Sequence, residues 1–308
     1  MIKWLREQLK KLKRRSRNNA AVGPLNTKIP EIPPHEITYD KEIGNGAFAN
    51  VYNGIWKNET VAIKKIFQLS PEDNEINIMF RLNHPHIVKL HGVSHSIIDI
   101  YPALVMEYMA KGSLEALMMD ENNCSYVISE RIRVAQEVAA GMTYMHKNNV
   151  IHRDIKIENI LLSGTGRAAI TDFGLAIQYT GVGYKSRKAA GSLRYIAPEV
   201  ISPDAYGDII YTPKVDVFAF GKLLYVLWHF RRPYEDVEDE FEFRFNIRNA
   251  IHDPISIETP TYVKNLMINL MSYDPTLRYA AADIIPRLNL PSSPVVTPDK
   301  SRKLKAER

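Results

Sequence analysis

The stretch Val150–Leu162, with the sequence VIHRDIKIENILL, places polar side chains between two apolar runs that read as strands. Charged groups held between buried runs cost free energy unless they are paired or functional. A second acidic position, Asp172, follows thirteen residues after Asn159 in TDFGLA, where a glycine lets the chain turn. Carboxylate and amide oxygens brought together suit a hard cation such as Mg²⁺. The cluster of basic, acidic and amide side chains in the first stretch comprises His152, Arg153, Asp154, Lys156 and Asn159.

The sequence pattern changes near residue 110. Between Tyr39 and about Tyr108, short runs of β-branched residues are bounded by turn residues, with one helical segment near residues 72–82. From Ser113 onward, helical patterns dominate. The 308 residues, 45% of them hydrophobic, can bury a sizeable core. We therefore predict an α+β fold in which a small β-rich lobe precedes a larger α-helical lobe.

One segment of the second lobe supports two readings. Residues 239–247, DEFEFRFNI, alternate between polar and apolar side chains with the period of a strand. Their position in a region rich in helical patterns favours a helix. The sequence leaves both readings open.

The two ends of the chain differ from its middle. Residues 1–17 carry eight Lys/Arg and one Glu, and the apolar residues among them recur every three or four positions. This pattern predicts a basic amphipathic helix that binds an anionic membrane surface or a docking partner, or a solvated basic arm. A Pro-rich linker extends to residue 36, and residues 291–308 form a basic tail predicted to be disordered. Because the net charge of +5 comes from these ends, no specific nucleic acid partner is expected.

The single cysteine, Cys124, excludes an internal disulfide framework and favours a reducing compartment. The longest apolar run, around residues 217–230, is interrupted by Lys222 and is too short to span a bilayer. No secretory signal is predicted at the N-terminus. We expect a cytoplasmic protein, with a membrane-peripheral or nuclear location as the alternatives.

An ordered set of motifs resembles the protein kinase family over residues 37–290. The motifs are Gly44-Asn45-Gly46 followed by Val51, VAIK ending at Lys64, a helix with Glu75, HRDIKIEN, DFG, and APE at Ala197–Glu199. The resemblance implies a bilobal protein kinase fold, with an N-lobe at 37–109 and a C-lobe at 110–290. It also implies that the chain uses ATP and Mg²⁺.

The resemblance assigns the catalytic groups. Asp154 would be the catalytic base, and Lys156 would lie near the transferring phosphate. Asn159 and Asp172 would hold the metal ions. Because strand side chains alternate, Lys64 shares a face with Ala62, which the resemblance places against adenine.

Lys64 would therefore reach the ATP phosphates, with Glu75 holding it in position. The interval of 11 residues from Lys64 to Glu75 is shorter than most family members have. The glycine loop carries Ala49 where a third glycine is usual. The residues that the resemblance places around ATP are Ile43, Gly44, Asn45, Gly46, Ala47, Phe48, Val51, Ala62, Lys64, Met106, Glu107, Met109 and Leu161.

A second group of residues would regulate or support the site. Arg153 would await a phosphate on the activation segment, added by an upstream kinase, or else pair with an acid or stay solvated. The candidate phosphorylation sites are Thr180, Tyr184 and Ser186, and Ser192 would contact Asp154. The resemblance also implies a packing stack, an anchor for the catalytic loop and a structural ion pair. The packing stack would consist of Met79, Leu90, His152 and Phe173. Asp216 would be the anchor, and Glu199 would form the ion pair with Arg278.

Lys156, two residues after Asp154, is typical of serine/threonine kinases. The stretches GSLRYIAPE and EYMAKGSL resemble the tyrosine-kinase-like group, which includes the Raf, mixed-lineage and receptor-interacting kinases. The resemblance thus implies transfer of the γ-phosphoryl group of ATP to Ser/Thr hydroxyls of protein substrates. The alternatives are a pseudokinase acting as a nucleotide-binding scaffold, and a dual-specificity or tyrosine kinase.

Overall fold

The computed structural model describes residues 29–46, 49–67, 75–96, 102–119 and 127–289. The predicted basic segment 1–17, the loop residues Ala47 and Phe48, Cys124 and the tail 291–308 lie outside these ranges. The strands are β1 (Ile37–Asn45), β2 (Ala49–Trp56), β3 (Glu59–Ile66), β4 (Leu90–Ser94), β5 (Ala103–Glu107), β6 (Val150–Ile151), β7 (Ile160–Leu162), β8 (Ala168–Ile170), β9 (Ile177–Gln178), β10 (Tyr184–Ser186) and β11 (Ile209–Tyr211). The helices are α1 (Glu75–Arg81), α2 (Leu114–Met118), α3 (Ile128–Lys147), α4 (Pro198–Ile201), α5 (Lys214–His229), α6 (Glu240–Arg248), α7 (Thr261–Leu270) and α8 (Ile284–Leu288).

The N-terminal lobe is an antiparallel sheet with the strand order β1-β2-β3-β5-β4. Alternation along β3 gives the sheet two buried faces, because Val61 and Ile63 pack into one cluster and Ala62 and Ile66 into another. The second face turns toward α1 and the cleft, and it carries Lys64. The pairing of strands therefore brings this lysine to the cleft.

The last part of the predicted linker packs onto this lobe. Ile32 is buried in the same cluster as Val61 and Ile63. Its N–H donates to the carbonyl of Val93 at 2.8 Å, and the N–H of Val93 donates to the carbonyl of Pro30 at 2.9 Å. Ordered packing of the described chain thus begins before residue 37.

Helix α5 forms the centre of the C-terminal lobe. Its residues 215–228 are all buried, and α3, α7 and the end of the activation segment pack against it. Most of these residues are apolar, and a helix with apolar residues around most of its circumference is stable only in such a core. The catalytic loop runs between β6 and β7, so the short strand pairs β6–β9 and β7–β8 hold its two ends. The predicted bilobal α+β fold is confirmed.

The alternating segment at 239–247 is a helix, and the strand reading of it is wrong. Asp239 caps α6 by accepting a hydrogen bond from the Glu242 N–H at 2.7 Å. Phe243 and Ile247 are buried four residues apart, while Phe241 stays exposed. The helix buries only one aromatic of the alternating set, so local alternation was a poor guide to burial. Among the described helices, none is long and apolar enough to cross a membrane.

Candidate active site

Lys64 lies between two carboxylates at the cleft. Its Nζ is 2.6 Å from Glu75 Oε1 and 3.0 Å from Asp172 Oδ1. Burial alone would lower the pKa of Lys64, but Glu75 and Asp172 outweigh that effect and raise it. The ammonium group therefore stays charged. The short interval between Lys64 and Glu75 does not prevent the ion pair.

Asp172 is held with a left-handed backbone, at φ 61° and ψ 76°. Such a conformation costs about 1 kcal/mol or more for a non-glycine residue, and it is typical of functional positions. Burial opposes ionisation of the carboxyl, but the neighbouring Lys64 outweighs it and lowers the pKa of Asp172. Its side chain is nevertheless half exposed to the cleft. An ionised carboxylate thus faces the cleft.

The carboxylate of Asp154 is oriented by three neighbours. The Ser192 N–H donates to Oδ1 at 2.8 Å, and Asn159 Nδ2 donates to Oδ2 at 2.9 Å. Lys156 Nζ lies 3.1 Å from Oδ2 and donates to Ser192 Oγ at 2.7 Å. The contact predicted between Ser192 and Asp154 is present, and the backbone makes it while the hydroxyl binds Lys156.

Asn159 stabilises the catalytic loop through hydrogen bonds to another residue of the same loop. Its Nδ2 also donates to the backbone carbonyl of Asp154 at 2.9 Å. Because the amide nitrogen is used in this way, the amide oxygen is the group available for a cation. The Thr171 N–H donates to the Asn159 carbonyl at 2.9 Å, and this bond draws the chain preceding Asp172 against the loop.

The backbone of the catalytic loop is anchored on Asp216, as predicted. Its Oδ2 accepts the His152 N–H at 2.9 Å, and its Oδ1 accepts the Arg153 N–H at 2.8 Å. His146 Nε2 also lies 2.8 Å from Oδ2. Burial opposes ionisation, but the hydrogen bond and charge of His146, together with the charge and the N–H of His152, outweigh it and lower the pKa of Asp216. His146 was not predicted from the sequence, because its partner Asp216 lies 70 residues further along the chain.

His152 packs within the protein core. Its ring meets that of Phe173 edge-on, with centroids 4.9 Å apart, and Nε2 donates to the Thr171 carbonyl at 3.0 Å. Met79 and Leu90 are buried in the same cluster. The predicted stack therefore links α1, β4, the catalytic loop and the DFG segment.

The predicted ion pair between Arg278 and Glu199 is also present. The guanidinium donates to both carboxylate oxygens, at 2.7 and 2.8 Å. Arg278 is fully buried and also donates to backbone carbonyls, so its charge is compensated.

The glycine loop connects β1 and β2. Gly44 pairs with Val51 across the hairpin, and Asn45 Nδ2 donates to Glu42 Oε1 at 3.1 Å. The Gly46 N–H donates to the carbonyl of Ala49 at 3.0 Å, which closes the turn. Ile43 is partly exposed at the loop's base.

Apolar residues from both lobes flank the cleft. Ala62 pairs with Met106 between β3 and β5, and both are buried along with Met109. Val51 and Leu161 are partly buried against the same cluster. The predicted adenine-binding residues therefore lie on adjoining parts of the cleft.

The connection between the lobes carries an ion pair that the motifs did not predict. Arg167 Nη2 lies 2.5 Å from Glu107 Oε1, and Arg167 also donates to the carbonyl of Pro85. The Glu107 N–H donates to the Lys89 carbonyl at 2.9 Å. The N–H of Glu107 is thus occupied, and its carbonyl is the backbone group left for an adenine edge.

The side chain of Arg153 contacts a backbone carbonyl and two aromatic rings of the chain itself. Its Nε donates to the Leu175 carbonyl at 2.6 Å, and its guanidinium lies near the rings of Tyr211 and Tyr184. Thr180 pairs with Gly183 in a tight turn, and Ser186 Oγ donates to the Lys188 carbonyl at 3.2 Å.

The donor groups fit a nucleotide with Mg²⁺. Among the described residues, no group of three or more His, Cys, Asp or Glu side chains is arranged to hold a metal ion. Mg²⁺ needs no such cage, since proteins usually bind it through one or two carboxylates together with phosphates and water. Asp172 and the amide oxygen of Asn159 supply that partial set, and Lys64 supplies a cation for phosphate.

Two carboxylates hold Lys64, and the carboxylate of Asp154 is buried and oriented. With the glycine-bearing hairpin of the N-terminal lobe, this arrangement is typical of a phosphotransferase site in a bilobal fold. The protein kinase domain family matches residues 37–287, and the chain belongs to that family.

Three relatives illustrate the classes of protein kinase to which the chain is similar. The chain is 32% identical over 269 residues to Dual specificity protein kinase shkB of Dictyostelium discoideum, covering 82% of this chain and 40% of that protein. It is 32% identical over 276 residues to Mitogen-activated protein kinase kinase kinase 13-A of Xenopus laevis, covering 88% of this chain and 27% of that protein. It is 32% identical over 255 residues to human Protein-tyrosine kinase 6, covering 80% of this chain and 55% of that protein. The chain thus spans less than two thirds of each relative.

Proposed function

We propose that this protein kinase transfers the γ-phosphoryl group of ATP, with Mg²⁺, to serine and threonine hydroxyls of protein substrates. The observation that carries the proposal is Lys156, whose ammonium group binds both Asp154, at 3.1 Å, and Ser192, at 2.7 Å. A cation at this point stands beside the base and can neutralise charge on a phosphoryl group in transfer. This support is independent of the relatives' names, which cover serine/threonine, dual-specificity and tyrosine kinases.

In this proposal, Asp154 accepts the proton of the substrate hydroxyl. Its carboxylate already accepts hydrogen bonds from Ser192 and Asn159, so its orientation is set before substrate binds. Lys64 would bind the α- and β-phosphates, while Glu75 keeps its flexible side chain in place. Asn159 and Asp172 would hold Mg²⁺. When bound, Mg²⁺ supplies positive charge that neutralises the phosphates.

The residues around ATP divide by their position. The apolar side chains of Val51, Ala62 and Leu161 would enclose the base, and Met106 would limit the depth of the pocket. The carbonyl of Glu107 and the N–H of Met109 would bind the adenine edge. The glycine loop, with Gly44 and Gly46, would cover the phosphates because it has little side-chain bulk.

A transfer assay tests the proposal. Purified wild-type protein with labelled ATP and Mg²⁺ is given peptides that differ only in a Ser, Thr or Tyr acceptor. We expect phosphate on Ser and Thr, and a loss of about a hundredfold or more in kcat/KM for Lys64→Met and Asp172→Asn. Lys65→Met is the matched control, since this neighbour lies on the other side of β3, and it should keep most of the activity.

Other outcomes would replace the proposal with its alternatives. Transfer to the Tyr peptide at a comparable rate would indicate dual specificity, a property that the name of the relative shkB also carries. Nucleotide binding by wild type without transfer to any peptide would indicate a scaffold.

The wider setting is proposed from the sequence. We propose protein substrates, an upstream kinase that phosphorylates Thr180, Tyr184 or Ser186, and a cytoplasmic location. Binding of residues 1–17 to an anionic membrane surface or a docking partner, or a nuclear location, are further proposals that rest on the basic composition of that segment.

A further inference from the structure

The backbone of Arg153 is held in an unfavourable conformation. Its φ is 68°, in the left-handed region that disfavours residues with a side chain. The hydrogen bond from its N–H to Asp216 Oδ1, at 2.8 Å, keeps it there. The side chain therefore lies between the DFG segment and the strand pair β10–β11.

Groups of the chain itself bind the Arg153 side chain. Its Nε donates to the Leu175 carbonyl at 2.6 Å. Its guanidinium carbon lies 5.0 Å from the ring centroid of Tyr211 and 5.9 Å from that of Tyr184. Tyr211 is fully buried, and a cation over a buried aromatic face is held more strongly than one in water.

Tyr211 also holds the far part of the activation segment. Its hydroxyl accepts the Ala190 N–H at 2.8 Å and donates to the Lys188 carbonyl at 3.1 Å. Burial raises the pKa of this hydroxyl, which therefore keeps its proton and remains a donor. Strand β11, which ends at Tyr211, pairs with β10, and Tyr184 is opposite Tyr211.

The contacts continue to the reacting groups. Gly191 follows Ala190 with φ 118°, and an added Cβ there would lie 2.5 Å from the Arg153 carbonyl. Only glycine permits that approach. The next residue, Ser192, orients Asp154 through its N–H and binds Lys156 through its hydroxyl.

We propose that Tyr211 is a positioning residue: by holding Arg153 against its ring and Ala190 on its hydroxyl, it orders the activation segment and aligns Asp154, so that basal transfer requires no phosphate on the segment. The inference rests on the proposed kinase activity and concerns the regulation of that same site. An activation-segment phosphate would then adjust an existing activity.

Substitutions at Tyr211 and Arg153 test the positioning role. We expect Tyr211→Leu and Arg153→Ala each to lower kcat for a peptide about tenfold or more, with the dissociation constant of a fluorescent ATP analogue within about twofold of wild type. Tyr211→Phe keeps the ring but loses the hydroxyl's bonds to Ala190 and Lys188, so its kcat should fall between those of Tyr211→Leu and wild type. Tyr206→Leu, at an 82% exposed tyrosine of the same connection, is the control and should match wild type.

A double-mutant cycle distinguishes a shared role from general damage. If the two side chains act as one unit, Arg153→Ala/Tyr211→Leu will be no slower than the slower single variant. If the fold-losses in kcat of the two single variants multiply in the double variant, the proposal is overturned. A Tyr211→Phe variant as slow as Tyr211→Leu would also overturn it, as would nucleotide binding lost in parallel with kcat in both single variants.

The basal activity is tested on wild-type protein. Wild type is treated with phosphatase, its intact mass is checked before and after the assay, and initial rates are compared with those of untreated protein. We expect the treated protein to keep at least about a third of kcat. A loss greater than about tenfold in a sample free of phosphate would overturn the inference while leaving the kinase activity of untreated protein in place. Inactive untreated protein would instead overturn the proposed function.

Discussion

Asp216 shows how one buried carboxylate fixes the catalytic loop. It is fully buried, and its two oxygens accept the N–H groups of His152 and Arg153 and a bond from His146. An asparagine has a single acceptor oxygen, and its NH₂ group would face one of these N–H donors. A buried donor left without a partner costs about 1–3 kcal/mol.

We therefore predict that Asp216→Asn lowers both kcat and stability. The expected loss is about 2–4 kcal/mol in the free energy of unfolding, measured by urea denaturation, and at least about tenfold in kcat. The control is Asp236→Asn, at an exposed acid that pairs with Arg231 on the surface, which should change either quantity little. Wild-type stability and kcat for Asp216→Asn would show that the loop does not depend on this carboxylate.

At the residue scale, motif matching identified the groups near the reaction but not those that support them from a distance. The Lys64–Glu75 and Arg278–Glu199 pairs follow from motif order and are present. His146, Arg167 and Tyr211 carry no local signal, because each acts through a contact with a distant part of the chain. The aromatic neighbours of Arg153 likewise depend on the pairing of β10 with β11.

The glycine loop is an element whose third glycine is replaced. Ala49 is buried in β2, pairs with Ile66 in β3, and accepts the Gly46 N–H on its carbonyl. Its backbone is that of a regular strand, so the methyl group causes no strain. The side chain instead removes conformational freedom from the end of the loop.

We predict that Ala49→Gly weakens ATP binding modestly. Greater backbone freedom costs about 0.5–1 kcal/mol on ordering, which corresponds to a rise of about two- to fivefold in the KM for ATP. The kcat should stay within about twofold. Steady-state kinetics over a range of ATP concentrations measures both, with the exposed Ala282→Gly in the C-lobe as the control. An unchanged KM would show that the missing glycine has no effect on nucleotide binding.

Among the elements, the sequence predicted those with a strong periodic pattern. The β-rich and helical lobes and α5 were evident because apolar residues define their faces. The segment 239–247 was ambiguous because helix α6 buries Phe243 and leaves Phe241 exposed, which local alternation cannot reveal. Strands of two or three residues, such as β10 and β11, have too little pattern to be predicted, since they depend on partners supplied by the fold.

At the scale of the whole molecule, the central helix α5 places the ionisable side chain of Lys222 in the core. Lys222 is 1% exposed; its Nζ lies 3.1 Å from His252 Nδ1 and 3.9 Å from the centroid of the Tyr234 ring. Burial lowers the pKa of Lys222 to about 7, and Asp253 opposes that shift. Burial, and then the charge of Lys222, lower the pKa of His252 to about 4.

These pKa values set the pH dependence of stability. Between about pH 7 and 10.5 the unfolded chain binds a proton on Lys222 that the folded chain does not, so stability rises with pH in that window. The slope from one such group is at most about 1.4 kcal/mol per pH unit. The same reasoning for His252 gives a rise in stability between about pH 4 and 6.5.

We predict that Lys222→Met removes the rise above pH 7. Methionine fills a similar volume without a charge to desolvate, so the variant should gain most over wild type at pH 7 and progressively less toward pH 9. Urea unfolding at pH 7, 8 and 9 measures the difference, and the exposed Lys147→Met should follow the wild-type curve. Parallel curves for Lys222→Met and wild type would mean that Lys222 keeps its ordinary pKa in the core. In that case the ammonium group is compensated by Asp253 and the Tyr234 ring, and α5 contributes no pH dependence through this residue.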